Sequence, residues 1–311
     1  MNTKADFQAY ILELQDRICG ALEALDGEAT FQEDPWERPG GGGGRTRVIR
    51  GGRVFEKGGV NTSSVFGALP EVLQKQLKVE QAQFFACGLS LVIHPQSPMV
   101  PTVHANFRYF ELYDADGNRK DCWFGGGMDM TPYYLWQEDA VHFHQTIKAA
   151  SEPFGTELYP MYKKACDEYF FNAHRQEARG IGGVFYDYCR PGKHELDEGQ
   201  WHAFSRKMGD TFLPAYLPIA ERRQHETYGE AEKTWQEIRR GRYVEFNLIH
   251  DKGTSFGLRS NGRTESILMS LPATVRWEYN HHPEAGSREA ALLEDLVPRD
   301  WASVTLNSVQ G

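Results

Sequence analysis

Residues 103–109, reading VHANFRY, alternate strictly between apolar and polar side chains, which commits this part of the chain to a half-buried β-strand. Period two puts Val103, Ala105, Phe107 and Tyr109 on one face and His104, Asn106 and Arg108 on the other. One face can therefore enter a core while the other presents a titratable base, an amide and a permanent cation in a row. That set suits an anionic ligand that needs a proton moved. An ordinary solvated strand face is the plain alternative. Close by, residues 123–129 read WFGGGMD, three glycines just ahead of a carboxylate. Glycines let a ligand approach the backbone closely, and Asp129 would stand at the rim of the same sheet.

Around this block the pattern switches repeatedly between strand-like and helical. The first 30 residues read as an amphipathic acidic helix, not as an export signal or an Arg-rich transit peptide. Residues 83–93 form a strand candidate, and 107–113 continue a second that turns at Asp114-Ala115-Asp116-Gly117. Helical periodicity covers 138–150 and 157–178, the latter stopped by Gly180. A strand is expected at 183–188 and helices at 201–212 and 231–240. Four further strands are expected at 243–250, 254–259, 265–271 and 275–279, with tight turns at 251–253 and 260–263. The Asn261-Gly262 pair is a hairpin signal, so this end is expected to be antiparallel sheet. No internal repeat and no long linker divides the chain.

Residues 37–60 carry Gly40 to Gly44 followed by Arg45, Arg47, Arg50, Arg53 and Lys57. A mobile lid explains them best: a glycine hinge, arginines to meet carboxylates, then a docking strand. A disordered linker and an Arg-Gly RNA-binding segment are the other readings. The chain as a whole has 34 basic against 43 acidic residues, net −9, the opposite of a nucleic-acid binder. No apolar run reaches the roughly 18 residues of a membrane span, so no integral membrane segment is expected. Cys19, Cys87, Cys122, Cys166 and Cys189 are scattered without CxxC spacing and read as buried free thiols in a reducing cytoplasm. Gly180-Ile181-Gly182-Gly183 leads from helix to strand, the reverse of a dinucleotide fingerprint, and no haem or iron–sulfur cysteine set occurs.

Five strings in order, HANFRYF, WFGGGMDMTPYY, RGIGGVFYD, RRGRYVEFNL and RTESILMSLP with VRWEY, resemble the oxygen-dependent coproporphyrinogen III oxidases over about residues 31–301. The resemblance implies a single α+β domain, a large mostly antiparallel sheet flanked by helices on both faces, assembled as a homodimer through residues 243–278. It further implies oxidative decarboxylation of the ring A and B propionates of coproporphyrinogen III to vinyl groups, giving protoporphyrinogen IX. Dioxygen is then the electron acceptor and no cofactor is required. Such a tetrapyrrole carries four carboxylates, so an acidic chain must attract it through a local basic patch.

In that family's terms His104 is the proton donor, and Arg108 would pair a propionate through two parallel hydrogen bonds. Asp129 would accept the inward pyrrole N–H groups, although Asp129-Met130-Thr131-Pro132 also reads as the approach to a helix. Asp187 is a second acid, followed here by Tyr188 where the family often has another aspartate. Ser90, Asn106, Phe107, Arg108, Asn261, Gly262 and Arg263 match substrate-contact positions, with Asn261 in place of a glycine. His94, His104, His144 and His174 match positions proposed as ligands of a divalent metal. Spacing alone favours structural or substrate-facing roles for these histidines. His144 shares a side with Val141 and Ile147, His174 follows Phe170 and Ala173 on an apolar side, and His142 sits with solvated Glu138 and Asp139. The same reaction run on a bound metal, and a non-catalytic tetrapyrrole binder on the same fold, are the alternatives.

Overall fold

The alternation read at residues 103–109 runs through a complete strand at the heart of the molecule, whose computed structural model describes residues 2–80, 82–259 and 262–306. Seven strands form one antiparallel sheet: β1 (Gln32–Glu37), β2 (Gly42–Arg50), β3 (Phe55–Ala68), β4 (Gln83–Pro95), β5 (Thr102–Tyr113), β6 (Arg119–Thr131) and β9 (Gly182–Cys189), in that order across the sheet. A separate two-residue pair consists of β7 (Phe171–Asn172) and β8 (Glu177–Ala178). The α+β single-domain class expected from the sequence is what forms.

The two sheet faces differ as the period-two pattern requires. Leu89, Leu91, Ala105, Phe107, Tyr109, Phe124, Met128, Met130 and Val184 enter one continuous core. Over them lie α1 (Thr3–Asp26), α3 (Gln137–Ser151), α4 (Leu158–Tyr169) and α5 (Glu198–Arg223). Helix α1 contributes Phe7, Tyr10, Ile11, Leu14, Ile18 and Leu22, a stripe at helical spacing, which is why it docks on one side only. The opposite face is polar along its middle and covered at its ends. Short α2 (Glu71–Leu77) closes one end over Phe84 and Leu112. At the other, α6 (Glu230–Glu245) lays Tyr243 and Val244 on Val92. One π-helical turn (Phe246–His250) then leads to α7 (Lys252–Arg259) and α8 (Thr264–Leu268), and α9 (Arg288–Asp295) packs beside α6. No described helix is long and apolar enough to cross a membrane.

Three expectations are corrected. The helix expected over 157–178 ends at Tyr169, and residues 171–178 instead make the β7–β8 pair. The reversal carries Gln176 at φ +56° and returns the Arg179 N–H to the Phe170 carbonyl at 2.8 Å. The four strands expected over 243–279, including those expected to form a dimer, do not exist among the described residues. There the chain is the end of α6, the π turn, α7, α8 and irregular backbone. Buried positions 235, 236, 239, 240, 243, 244 and 247 continue one helical stripe straight through the supposed first strand. Ser260 and Asn261 lie outside the described residues. Finally, the glycines expected as the hinge of a mobile lid are built into a hairpin: Gly40 and Gly41 lie in the β1–β2 turn, and Gly42, Gly43 and Gly44 sit in β2 between β1 and β3. Gly44 is needed because a Cβ there would come within 2.4 Å of the Trp36 ring. Two of the lid's arginines are also occupied, Arg45 by Gln15 and Asp16 and Arg53 by the Leu25 and Asp26 carbonyls.

Candidate active site on the polar face

Antiparallel register decides which polar residues meet. Ser90 on β4 faces Asn61 on β3 and Asn106 on β5, and Asn106 faces Gly127 on β6. One step along, Gly88, Arg108 and Gly125 share a row; one step the other way, Val92, His104 and Asp129 do. Ser90 is solvent-exposed although β4 is the middle strand of seven. The sheet therefore carries an open strip, floored by small residues, between the α2 end and the α8 end.

At one end of the strip His104 and Asp129 are both buried, with Nδ1 of the imidazole 3.5 Å from a carboxylate oxygen. Neither ring nitrogen has a hydrogen-bond partner of normal geometry, and Asn106 Oδ1 has none either. The ring is clamped by Tyr243, whose own ring stacks at 5.0 Å between centroids and 26° between planes. Burial and then the nearby Arg179 charge lower the His104 pKa, and Asp129 only partly offsets them. The imidazole is accordingly neutral near neutral pH and able to take a proton.

Asp129 does not cap a helix; it lies in β6 and is held by Arg179, whose Nη2 donates to its two oxygens at 2.9 and 2.8 Å. Burial opposes its ionisation, but Arg179 and His104 together outweigh that and hold the carboxyl at about 2. Arg179 is buried in turn, donating to Asn247 at 3.2 Å and lying 3.9 Å over the Phe170 ring. At the other end of the strip Arg108 is 41% exposed and pairs with Asp187 at 2.7 Å. A base, an unpaired amide and a cation thus converge on a flat floor.

The remaining expected residues divide. Phe107 turns its side chain into the core, because odd positions of β5 face α1 and α5, and so cannot line the strip. Arg263 reaches the polar face but pairs with Asp34 and bonds Ser266, while exposed Gly262 donates to the Gly257 carbonyl between α7 and α8. Neither is a hairpin tip. The four histidines do not assemble. His94 bonds the Ser270 carbonyl and lies beside Thr102, and His144 bonds Tyr159 and the Ile181 carbonyl under the other face. His174 is exposed in the β7–β8 turn against Glu245 and His250, not on an apolar helix side. Among the described residues no three His, Cys, Asp or Glu side chains converge as a metal site. His142, expected in solvent, is half-buried and bonds the Pro214 carbonyl of α5, which Pro218 has no N–H to satisfy.

Sequence reasoning missed Arg179, Tyr243 and Asn247. A signal existed for the first: a carboxylate placed on a buried strand demands a cation, and Arg179 precedes the strand that pairs beside it. Nothing in spacing announces Tyr243. The family model described as coproporphyrinogen III oxidase matches residues 6–301.

Proposed function

This chain belongs to the coproporphyrinogen III oxidase family, and we propose that it carries out the oxygen-dependent form of that chemistry, converting coproporphyrinogen III to protoporphyrinogen IX. Membership places it among the oxidoreductases of porphyrin and haem biosynthesis. In the proposed reaction each propionic acid on rings A and B, with one dioxygen, gives one vinyl group, one carbon dioxide and one hydrogen peroxide. The electron-rich pyrrole is the reductant, so no further cofactor is invoked. The observation that carries this reading is the exposed strip at Ser90, bordered by the unpaired nitrogens of His104 and by Arg108.

A macrocycle of pyrroles joined by flexible methylene bridges can settle on a floor of Ser90, Asn106, Gly125 and Gly127, with a propionate on Arg108. Neutral His104 receives the proton displaced from the reacting ring, and Asp129 stabilises the imidazolium that results. Because Arg179 already engages both Asp129 oxygens, pyrrole N–H groups reach that carboxylate by sharing it with the arginine. The exposed Leu248, Ile249, Leu258 and Trp277 of the C-terminal segment support a homodimer, and the five buried free thiols support a cytoplasmic setting.

The deciding experiment is aerobic turnover of coproporphyrinogen III by metal-stripped protein, with products separated by chromatography and oxygen uptake followed. Vinyl products with oxygen consumed support the reading. Activity only after one divalent ion is returned would replace it with the metal-assisted form, and silence throughout would leave a binder.

A further inference from the structure

Strand β9 carries an irregularity beside Arg108 that its sheet role does not require. Phe124 of β6 faces Cys189, and Gly126 faces Tyr186, so one residue of β6, Gly125, stands against two of β9, Asp187 and Tyr188. The extra residue is a β-bulge at Asp187–Tyr188, and Tyr188 takes φ +50°, a left-handed conformation unfavourable for a side chain of its size. The consequence is geometric. The Tyr188 ring packs on Trp123 while Cys189 returns to the buried core. Asp187 is left aimed across the strip, one oxygen accepting the Tyr188 N–H at 2.9 Å and the other 2.7 Å from Arg108 Nη2. Both side chains lie directly above Gly125, where a Cβ would come within 2.6 Å of Arg108 Nε and 2.7 Å of Asp187 Oδ1. Strain, a bulge and a glycine all serve one contact.

We propose that Asp187 is a specificity-determining residue: an internal carboxylate that occupies the Arg108 guanidinium until a ligand carboxylate replaces it. The proposal rests on the reading of Arg108 as the propionate anchor. The pair is 41% and 28% exposed, so water and salt keep it weak and exchange is easy. Asp187 keeps Arg108 extended over Gly125 in the empty protein. It also sets a threshold, since a ligand without a carboxylate gains nothing by entering beside a satisfied arginine. After exchange Asp187 stands next to the bound carboxylate and repels it, which favours release once the reaction is over.

The test uses coproporphyrin III, the unreactive oxidised tetracarboxylate, bound by full-length protein and read by fluorescence. Glutarate is the second probe, read through the Arg108 Nε–H resonance. Asp187→Asn keeps the shape and removes the competing charge, with circular dichroism and a urea midpoint checking the fold. Both probes are expected to bind about two- to fivefold more tightly, the range that a weak exposed pair can account for. In an Arg108→Gln background, read with coproporphyrin III fluorescence alone, the same change is expected to do nothing. No tightening for either probe, or equal tightening in the Arg108→Gln background, overturns the exchange and leaves only a general charge effect. Absence of vinyl products from the wild type, with the exchange intact, instead removes the oxidase reading.

Discussion

At the scale of single residues the molecule concentrates its risk at Asp129. A carboxylate buried in a central strand is tolerable only because Arg179 reaches both its oxygens. Arg179→Met is therefore expected to destabilise the fold by about 3–5 kcal/mol, the cost of leaving a buried charge unpaired. Asp129→Asn/Arg179→Met together should cost less than the two single changes summed, which urea titration of all three variants decides. For turnover, Asp129→Ala and Arg108→Ala should each lower kcat/KM by roughly 100-fold or more, in line with loss of transition-state charge stabilisation. Arg108→Ala must do so with its urea midpoint unchanged, since the ion pair it loses, with Asp187, is solvent-exposed. Near-normal kcat/KM in Arg108→Ala sinks the propionate assignment. Much of this site was legible from period two alone, which put His104, Asn106 and Arg108 on one face. What periodicity could not supply was the partner of each: Arg179 and Tyr243 lie 75 and 139 positions from His104, counting along the numbering, and only folding brings them to it.

At the scale of elements, α1 is tied to the sheet by one carboxylate. Asp26 is fully buried at its C-terminal end and accepts the N–H groups of Ala29, Arg53, Val54 and Phe55. Burial alone would raise its pKa, but these backbone bonds outweigh that and lower it. The sign follows: a folded pKa below the unfolded one stabilises at pH above the unfolded value and is lost as pH falls through the folded one. Asp26→Ala should cost roughly 3 kcal/mol at pH 7, since a charged acceptor leaves and buried donors lose their partner. Its stability should then depend less on pH below 4 than that of the wild type, as unfolding at pH 7 and pH 3.5 would reveal; an equal dependence contradicts the assignment. The C-terminal segment teaches the reverse lesson about legibility. Turn residues and β-prone side chains argued for hairpins, but the 3.6 spacing of Trp235, Arg239, Tyr243 and Asn247 outlasts them. Burial against Val92 and Phe170 settles the matter in favour of helix.

At the scale of the whole molecule, every cysteine is free and buried, and burial pushes Cys19 and Cys87 up to about 12 and Cys122 and Cys189 to about 11. The native protein should therefore leave a maleimide reagent almost unconsumed over minutes at pH 7, whereas urea-unfolded protein should react at all five; rapid native labelling would contradict the packing. The proposed homodimer predicts that Ile249→Asp, at a side chain 64% exposed in the monomer, shifts sedimentation towards the monomer without lowering the thermal midpoint of the fold. The alternating and helical spacings are local properties of the chain, and they sufficed to determine strands β4, β5 and β9, the amphipathic helix α1 and the polar row His104–Asn106–Arg108. Tertiary structure alone decided that Arg179 and His104 share Asp129, that Gly42, Gly43 and Gly44 are strand and that α7 and α8 fold over the polar face. Those outcomes depend on which distant side chains compete for one buried space, and spacing along a sequence carries no information about that competition.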